Sequence, residues 1–351
     1  MTGGLRCSLC HHRCLIPPGG RGRCGTRENR ADDAGEPFLP FYGYLTAVAV
    51  DPIEKKPLYH FRPGSRVLSL GFAGCNLRCP FCQNWHISQL CGEGPTPPGR
   101  RMKPDEALAL VPPEPGARQI AYTYSEPLIH VEYLKDCMEL ARERGIANVL
   151  VSNGCVNLEK AAGILPLIDA ANIDLKCFSE TTYRQVLGGD LETVLNFIRA
   201  ACHQGIRLEL TTLMVPGLND SDAELDRCAS FIAALRSNPV PWHLSAYHPS
   251  YHWDAPPTEG AALLRAAERA RKVLPYVYTG NIAAETNDTP CPHCGAILVR
   301  RRGYHVDTAL LASPYGAPAG VPDGAPGTPG TPSGTLPCRC GSCGAEVPLY
   351  R

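Results

Sequence analysis

The sequence lacks three features that would direct it to a common class of partner or compartment. Its 34 basic residues are balanced by 34 acidic residues, so no net charge draws the whole protein towards nucleic acid or a membrane surface. No apolar run approaches the roughly 20 residues that span a bilayer, and the N-terminal segment has no apolar core of the kind found in signal peptides. We therefore expect a soluble, cytoplasmic protein with no membrane partner.

Cysteine, by contrast, is abundant. The 351 residues include 18 cysteines, and eleven of these fall into three clusters with the spacing of metal ligands. In a small secreted chain this content would predict disulfides, but clustered thiols indicate metal sites in a reducing compartment. We expect the other seven to pack as inert core residues. These are Cys91, Cys137, Cys155, Cys177, Cys202, Cys228 and Cys338.

The central cluster is Cys75-x3-Cys79-x2-Cys82, which follows the apolar run 67–70. The same spacing would suit one face of a helix, but Pro80 lies inside it and would break such a helix. Three thiolates can hold three irons of a four-iron cluster and leave the fourth iron open to a substrate or cofactor. The pattern predicts a catalytic [4Fe-4S] cluster in a loop at the C-terminal end of a strand, where α/β folds place active sites.

The region from about residue 66 to 281 alternates short β-branched segments with longer helical patterns. This alternation is typical of βα units that surround a parallel sheet. Helices are predicted at 128–144, 221–236 and 258–274, where capping residues mark several of the ends. Strands are predicted at 67–71, 119–124, 148–152, 171–175, 207–214 and 242–246, with 276–279 as a further candidate. The fold class is therefore α/β, with about six βα units.

The C-terminal cluster consists of two C-x2-C-G knuckles. Four thiolates satisfy a tetrahedral zinc ion, and a glycine after each knuckle lets the backbone turn around the metal. The pattern predicts a zinc ribbon, with Cys338 as a spare thiol that could compete for the metal. Between the knuckles, residues 313–337 are more than half Pro and Gly, which predicts a disordered insert. The predicted zinc ligands are Cys291, Cys294, Cys340 and Cys343.

The N-terminal cluster is Cys7-x2-Cys10-x3-Cys14-x9-Cys24. Its four thiols could bind zinc or a second iron-sulfur cluster, and the spacing does not distinguish the two, although we favour zinc. The first thirty residues contain six arginines and one acidic residue. These arginines could form a nucleic-acid-binding surface, or a solvated face whose charge offsets that of the thiolates. We favour the solvated face. The arginines are Arg6, Arg13, Arg21, Arg23, Arg27 and Arg30.

The motif C-x3-C-x-aromatic-C, with Phe81 as the aromatic residue, is the signature of the radical S-adenosylmethionine (SAM) superfamily. Over nearly its whole length the chain resembles the pyruvate formate-lyase activating enzyme branch, and within it the radical SAM enzymes of AmmeMemoRadiSam systems. The similarity is carried by the N-terminal cysteines and by DPIEKKPL (51–58), YTYSEP (122–127), NIDLK (172–176) and VPGLND (215–220). The resemblance implies an incomplete (β/α)6 barrel that opens on one side to a large substrate.

This architecture divides the chain into three predicted parts. Residues 1–40 form a metal-binding segment, residues 41–282 form the barrel, and residues 283–351 form the interrupted ribbon. The resemblance also implies the chemistry of the barrel. A reduced [4Fe-4S] cluster passes one electron to SAM, and the 5′-deoxyadenosyl radical that results abstracts hydrogen from an unactivated carbon.

The same resemblance implies contacts to SAM at the ends of the strands. Lys176 of the motif Asp-x-Lys would meet the SAM carboxylate. Asp174 belongs to the same motif, or else it simply pairs with Lys176 or caps a helix. His248 would face the ribose, or else belong to an ordinary loop. Ser152 and Asn153 match a Thr-Asn-Gly motif, although both are also common turn formers. The further contacts implied are Phe81, Asn84, Ser125 and Glu126, with Tyr124 and Ser125 replacing two glycines of the family motif.

We predict that the substrate is a protein or peptide, as it is for glycyl-radical activases. An electron donor such as flavodoxin or ferredoxin is expected, and Memo-like and AMMECR-like proteins are expected partners. Two alternatives remain at this stage. The arginine-rich N-terminus and the ribbon allow an RNA-modifying enzyme, although the neutral net charge argues against nucleic acid, and the cysteine clusters by themselves allow a non-enzymatic metal-binding scaffold.

Overall fold

A mostly parallel sheet organises the chain. The computed structural model describes residues 4–30, 35–90, 96–235, 239–282, 287–312 and 337–351. Cys91 and all of the predicted disordered insert except Pro337 lie outside the described residues. Within the described residues, no helix is long and apolar enough to cross a membrane.

The strands before residue 283 form a short hairpin and one large sheet. In chain order they are β1 (Leu5–Arg6), β2 (Leu15–Ile16), β3 (Tyr44–Pro52), β4 (Arg66–Phe72), β5 (Arg100–Arg101), β6 (Gln119–Thr123), β7 (Ala147–Ser152), β8 (Ala170–Asp174), β9 (Arg207–Met214), β10 (Trp242–Ala246) and β11 (Val277–Gly280). β1 and β2 pair with each other, and the other nine follow the order β11-β10-β9-β8-β7-β6-β4-β3-β5.

The seven strands from β4 to β11, without β5, are parallel, and all seven coincide with predicted strands. They are buried on both faces, as parallel strands covered by helices must be, and every residue of β6 is buried. β3 and β5 add two antiparallel strands that were not predicted. In the described part of the chain the edge strands β5 and β11 are not hydrogen-bonded to each other, so the predicted open α/β architecture is confirmed.

Helices cover the sheet. They are α1 (Trp85–Ser88), α2 (Pro104–Leu108), α3 (Val131–Glu143), α4 (Leu158–Ala161), α5 (Glu180–Thr182), α6 (Leu191–His203), α7 (Asp222–Ala233) and α8 (Gly260–Arg271). The three predicted helices are confirmed as α3, α7 and α8 with shorter ends. The segment before α3 is a 3₁₀ turn, Pro127–His130. Ser221 caps α7 by accepting a hydrogen bond from the Glu224 N–H, as its position predicted.

The N-terminal segment packs directly on the sheet and its helices. Arg27 is buried and forms a bidentate ion pair with Glu132 of α3, with Nη–Oε distances of 2.5 and 2.8 Å. The Leu9 carbonyl accepts a hydrogen bond from the Asn157 N–H at 3.0 Å. This segment is therefore joined to the barrel by buried polar contacts as well as by apolar packing.

The C-terminal segment forms two small antiparallel sheets. Their strands are β12 (Thr289–Pro290), β13 (Ile297–Arg302) and β14 (His305–Asp307) in one, and β15 (Leu311–Ala312), β16 (Pro337–Cys340) and β17 (Glu346–Tyr350) in the other. Tyr350 of β17 packs in an apolar cluster with Val67, Ala147 and Ala170, which lie at the N-terminal ends of three barrel strands. The ribbon is thus docked at the end of the barrel opposite to the cysteine loop, which follows the C-terminal end of β4.

Candidate active site

The three cysteines of the central motif lie in the loop between β4 and α1, as predicted. Cys75 and Cys79 are buried and Cys82 is half-buried. Gly74, which begins the loop, has φ of +82°, and a Cβ built there would lie 2.6 Å from the Cys24 carbonyl oxygen. Only glycine fits this position without displacing the neighbouring backbone. The loop is therefore fixed at its start by close contact with the N-terminal segment.

The thiols of this loop suit a cluster better than a single metal ion. Across the described residues, three or more potential ligand atoms lie within 4.8 Å of one another only at the C-terminal knuckles. The sulfurs of Cys75, Cys79 and Cys82 therefore do not all lie within 4.8 Å of one another, as the ligands of one zinc ion would at Zn–S distances of about 2.3 Å. Thiolates that bind separate irons of one cluster stand farther apart than the ligands of a single ion. The donor set thus fits a [4Fe-4S] cluster with one open iron.

Asn153 connects the strand ends to this loop. Its Nδ2 lies 3.6 Å from the Cys75 Sγ and 2.9 Å from the Asn76 Oδ1, while its Oδ1 accepts the Cys155 N–H at 2.8 Å. A buried N–H directed at a ligand sulfur stabilises the thiolate form. The structure therefore brings Asn153 to the cluster ligands, whereas the resemblance had implied a contact to SAM.

Glu126 holds the turn that carries Asn153. It is fully buried, and its carboxylate accepts hydrogen bonds from the Ser152 hydroxyl at 2.7 Å, the Asn153 N–H at 2.8 Å and the Leu128 N–H at 2.9 Å. Burial raises the pKa of Glu126 to about 7, although these hydrogen bonds oppose the shift. Its oxygens face the protein in this structure, so its implied contact to SAM stays a prediction.

Lys176 and Asp174 lie at the end of β8 and form an ion pair, with Nζ 3.0 Å from Oδ2. Burial alone would lower the pKa of Lys176, but the Asp174 carboxylate and the Cys79 thiol raise it above the ordinary value. The ammonium is therefore held in its charged form close to the cysteine loop. A cation in this position can bind a carboxylate of a ligand, as the resemblance implied.

Asn84 and Ser125 join the loop to neighbouring strand ends. The Asn84 Nδ2 donates to the Tyr124 carbonyl at 2.7 Å, and the Ser125 hydroxyl donates to the Phe72 carbonyl at 2.7 Å. Both side chains are therefore engaged in positioning the loop. Their implied contacts to SAM stay predictions.

The aromatic residue of the motif anchors the loop. Phe81 is buried, and its ring meets Tyr247 and Trp253 edge-on, with centroids 6.5 and 6.4 Å away. His248, one residue after Tyr247, is exposed, and its Nε2 lies 3.1 Å from the Asn281 carbonyl. The structure thus places His248 beyond β10, bonded to the segment after β11.

Sequence reasoning missed a buried polar network beside the site. Lys56 is almost fully buried, and its Nζ lies 2.9 Å from Asp51 Oδ2 and 3.2 Å from the Tyr124 hydroxyl, which also bonds to Asp51. These contacts hold Tyr124 with φ of +72°, a strained conformation for a residue other than glycine. The signal was the charged block 51–58, to which no role was assigned.

An exposed aromatic pair at the rim of the loop was also missed. Trp85 is 46% exposed and stacks on Tyr251 at a centroid distance of 5.3 Å and an interplanar angle of 12°. The His252 N–H donates to the Pro80 carbonyl at 2.8 Å, so this segment is tied to the cysteine loop. The pair offers a flat apolar surface directly beside the predicted cluster.

The C-terminal cysteines form a compact four-sulfur site, as predicted. Cys291 lies 3.8 Å from Cys343, and Cys294 lies 3.7 Å from Cys340, sulfur to sulfur. All four sulfurs are within 4.8 Å of one another. These separations match a tetrahedral zinc site, and the site suits a zinc ion. Cys338 is buried in the apolar core of the ribbon and does not belong to the four-sulfur group, so Cys340 takes the ligand position.

Comparisons with known proteins agree with this arrangement. A family model described as the Radical SAM superfamily matches residues 70–229. The chain is 40% identical over 302 residues to the uncharacterized protein MJ0808 of Methanocaldococcus jannaschii, which covers 85% of this chain and 87% of that protein. It is 26% identical over 182 residues to a pyruvate formate-lyase-activating enzyme of Clostridium pasteurianum, covering 50% and 72% respectively.

Among solved structures, SuiB of Streptococcus suis bound to S-adenosylmethionine superposes with a TM-score of 0.46 at 12% sequence identity. This match covers 61% of the present chain and 52% of SuiB.

Proposed function

This chain belongs to the radical SAM superfamily, and we propose that it uses a 5′-deoxyadenosyl radical to abstract hydrogen from a protein or peptide. When bound by Cys75, Cys79 and Cys82, a four-iron cluster would supply the single electron for reductive cleavage of SAM into methionine and the radical. The chain is an enzyme related to pyruvate formate-lyase-activating enzymes. The scaffold alternative is therefore not retained.

The observation that carries the proposal is the convergence of the cysteine loop with Lys176. Cys75, Cys79 and Cys82 would hold the cluster, and Asn153 would donate to the Cys75 sulfur. Lys176, held charged by Asp174, would bind the SAM carboxylate through a charge-assisted hydrogen bond. These groups would orient SAM at the open iron, and the buried loop would exclude water from the radical.

Two observations support a macromolecular substrate. The related proteins from Clostridium pasteurianum and Staphylococcus aureus are named for activating pyruvate formate-lyase, which is itself a protein. In addition, the stacked pair Trp85 and Tyr251 forms an exposed aromatic surface beside the loop, and aromatic residues are enriched where proteins meet. A protein segment could pack on this pair and present a carbon atom to the radical.

The arginines of the N-terminal segment give little support to RNA as the substrate. Arg27 is buried against Glu132, while Arg21 and Arg30 both pair with Glu28. These arginines are engaged within the protein, so fewer charges are available to phosphates than the sequence suggested.

Transfer of deuterium from a labelled protein would test the substrate class. Reduced enzyme is incubated anaerobically with SAM and deuterated candidate proteins, of which Memo-like and AMMECR-like proteins are the first choice. Flavodoxin or ferredoxin serves as the proposed electron donor. We expect deuterium in the 5′-deoxyadenosine, measured by mass spectrometry. Deuterium that arises only from labelled RNA would contradict the proposal and favour the RNA-modifying alternative.

A matched pair of variants tests the aromatic surface. Trp85→Ala should slow deuterium transfer from the protein while SAM cleavage without substrate is unchanged. Leu110→Ala, which removes another exposed apolar side chain, should affect neither. Equal transfer by both variants would show that Trp85 does not contact the substrate.

A further inference from the structure

Two buried polar side chains reach the sulfurs of the cysteine loop, and the sequence assigned no role to one of them, Ser88. We propose that Ser88 and Asn153 are positioning residues that raise the reduction potential of the iron-sulfur cluster by donating hydrogen bonds to its cysteine ligands. The inference rests on the cluster of the proposed function. It concerns how readily that cluster takes up an electron, and it does not depend on the substrate.

Ser88 is the last residue of α1, the short helix that follows the cysteine loop. Its side chain is buried, and its Oγ lies 3.3 Å from the Cys82 Sγ. The Ser88 N–H donates to the Asn84 carbonyl at 3.0 Å, which is one of the bonds that close the first turn of α1. The backbone of this turn therefore holds the serine hydroxyl beside the third cysteine of the motif.

The direction of this hydrogen bond follows from the chemistry of a ligand sulfur. A thiolate bound to iron carries no hydrogen, so it can only accept a hydrogen bond. The Ser88 hydroxyl has a single hydrogen, and its oxygen already accepts a hydrogen bond from the Gln89 Nε2 at 3.0 Å. The hydrogen of the hydroxyl is therefore available to the Cys82 sulfur, and Ser88 is the donor once the cluster is bound.

The backbone of Cys155 fixes the orientation of the Asn153 amide. The Cys155 N–H donates to the Asn153 Oδ1 at 2.8 Å, so the Asn153 Nδ2 lies on the other side. The Cys155 carbonyl accepts from the Asn76 Nδ2 at 2.7 Å, which leaves the Asn76 Oδ1 free to accept. The two hydrogens of the Asn153 Nδ2 then serve the Asn76 Oδ1 at 2.9 Å and the Cys75 Sγ at 3.6 Å. The Leu77 N–H, 3.4 Å from the Cys75 Sγ, is a second donor to this sulfur.

These donors act on the charge that a cluster gains on reduction. The added electron increases the negative charge on the ligand sulfurs, so a hydrogen bond to a sulfur stabilises the reduced state more than the oxidised state. Ser88 and Asn153 are both buried, and in a site of low dielectric the effect of each donor is not weakened by water. Removing either donor should therefore make the reduction potential more negative.

A redox titration of the full-length protein in the absence of SAM tests the proposal. The titrated quantity is the paramagnetic signal of the reduced cluster that SAM perturbs in a parallel sample. We expect Ser88→Ala and Asn153→Ala each to lower the ratio of reduced to oxidised cluster about tenfold at a fixed solution potential, which is a shift of about 59 mV for one electron. Ser88→Thr keeps a hydroxyl and should stay near the wild-type ratio. Ser221→Ala removes the cap of α7, away from the cysteine loop, and should lower stability without changing the ratio.

The outcomes separate this inference from the proposed function. An iron-loaded Ser88→Ala or Asn153→Ala variant with the wild-type ratio would overturn the inference, as would an iron-loaded Ser88→Thr variant that falls as far as Ser88→Ala. If Asn153→Ala fails to hold iron, Ser88→Ala decides the question, because it removes only one oxygen atom. A wild-type protein without a SAM-sensitive signal would instead refute the cluster itself, and with it both the proposed function and this inference.

Discussion

The two ends of the barrel carry cysteine sites of different geometry. At the N-terminal ends of the strands, the ribbon holds four sulfurs within 4.8 Å of one another. At the C-terminal ends, Cys75, Cys79 and Cys82 are spread more widely and are surrounded by Asn153, Lys176 and other polar groups. A single tetrahedral ion would need its ligand sulfurs close together, whereas the irons of a cluster would need them farther apart, so the two arrangements suit different groups. The N-terminal end of the barrel therefore carries a structural module, and the C-terminal end carries the groups for catalysis.

The largest difference between the two ends should come from removing the cluster ligands. Changing Cys75, Cys79 and Cys82 together to Ala should abolish SAM cleavage, because no open iron remains to bind SAM. Zinc at the ribbon should be retained, since the two sites lie at opposite ends. Formation of 5′-deoxyadenosine and zinc content measure the two effects. Residual SAM cleavage in this variant would refute the assignment of the cluster.

Gly74→Ala should weaken the contact between the catalytic loop and the N-terminal segment. The left-handed backbone alone costs an L-residue about 1 to 2 kcal/mol, and the new Cβ would also meet the Cys24 carbonyl at 2.6 Å. Denaturant unfolding and iron content give the measurement. Gly145→Ala is the control, because Gly145 has φ of +64° with nothing within 4 Å. Equal losses in both variants would show that the contact contributes nothing beyond backbone strain.

Lys176→Ala should lower the affinity for SAM while the cluster stays loaded. Losing a hydrogen bond to a charged group costs about 1.5 to 3 kcal/mol, so we expect at least a tenfold rise in the dissociation constant. Titration of the cluster signal with SAM measures it. Lys160→Ala, which removes a partly exposed lysine paired with Glu36, should have no effect. Unchanged affinity in Lys176→Ala would exclude the implied contact to the SAM carboxylate.

The smallest effect on SAM cleavage should come from the ribbon. Changing Cys294 and Cys343 to Ser should remove the zinc and expose the C-terminus to protease, since metal binding supplies on the order of 10 kcal/mol of folding free energy in small zinc modules. The barrel buries a core of its own and should remain folded. If SAM cleavage fails while iron is retained, the ribbon must support the active end after all.

Sequence patterns predicted the parallel strands because strands buried on both faces are rich in apolar residues, as in the run 67–70 of β4. They did not predict β3, most of whose residues are only partly buried, so that it lacks the continuous burial of the parallel strands. Lys56 illustrates a second limit. It is charged yet almost fully buried, because its ammonium contacts Asp51 and also Tyr124, and Tyr124 comes from a distant part of the chain.

The sequence alone determined the ligand types, their order and the strands that carry them, because thiol chemistry and hydrophobic periodicity are local properties. The sequence also shows a glycine at position 74, but the backbone contact that requires it is visible only in the structure. Only the tertiary structure decided how far apart the sulfurs stand, that Glu126 faces the Ser152 turn, and that the ribbon lies opposite the catalytic loop. Distances between sulfurs depend on how separate segments pack, and no spacing along the chain contains that information.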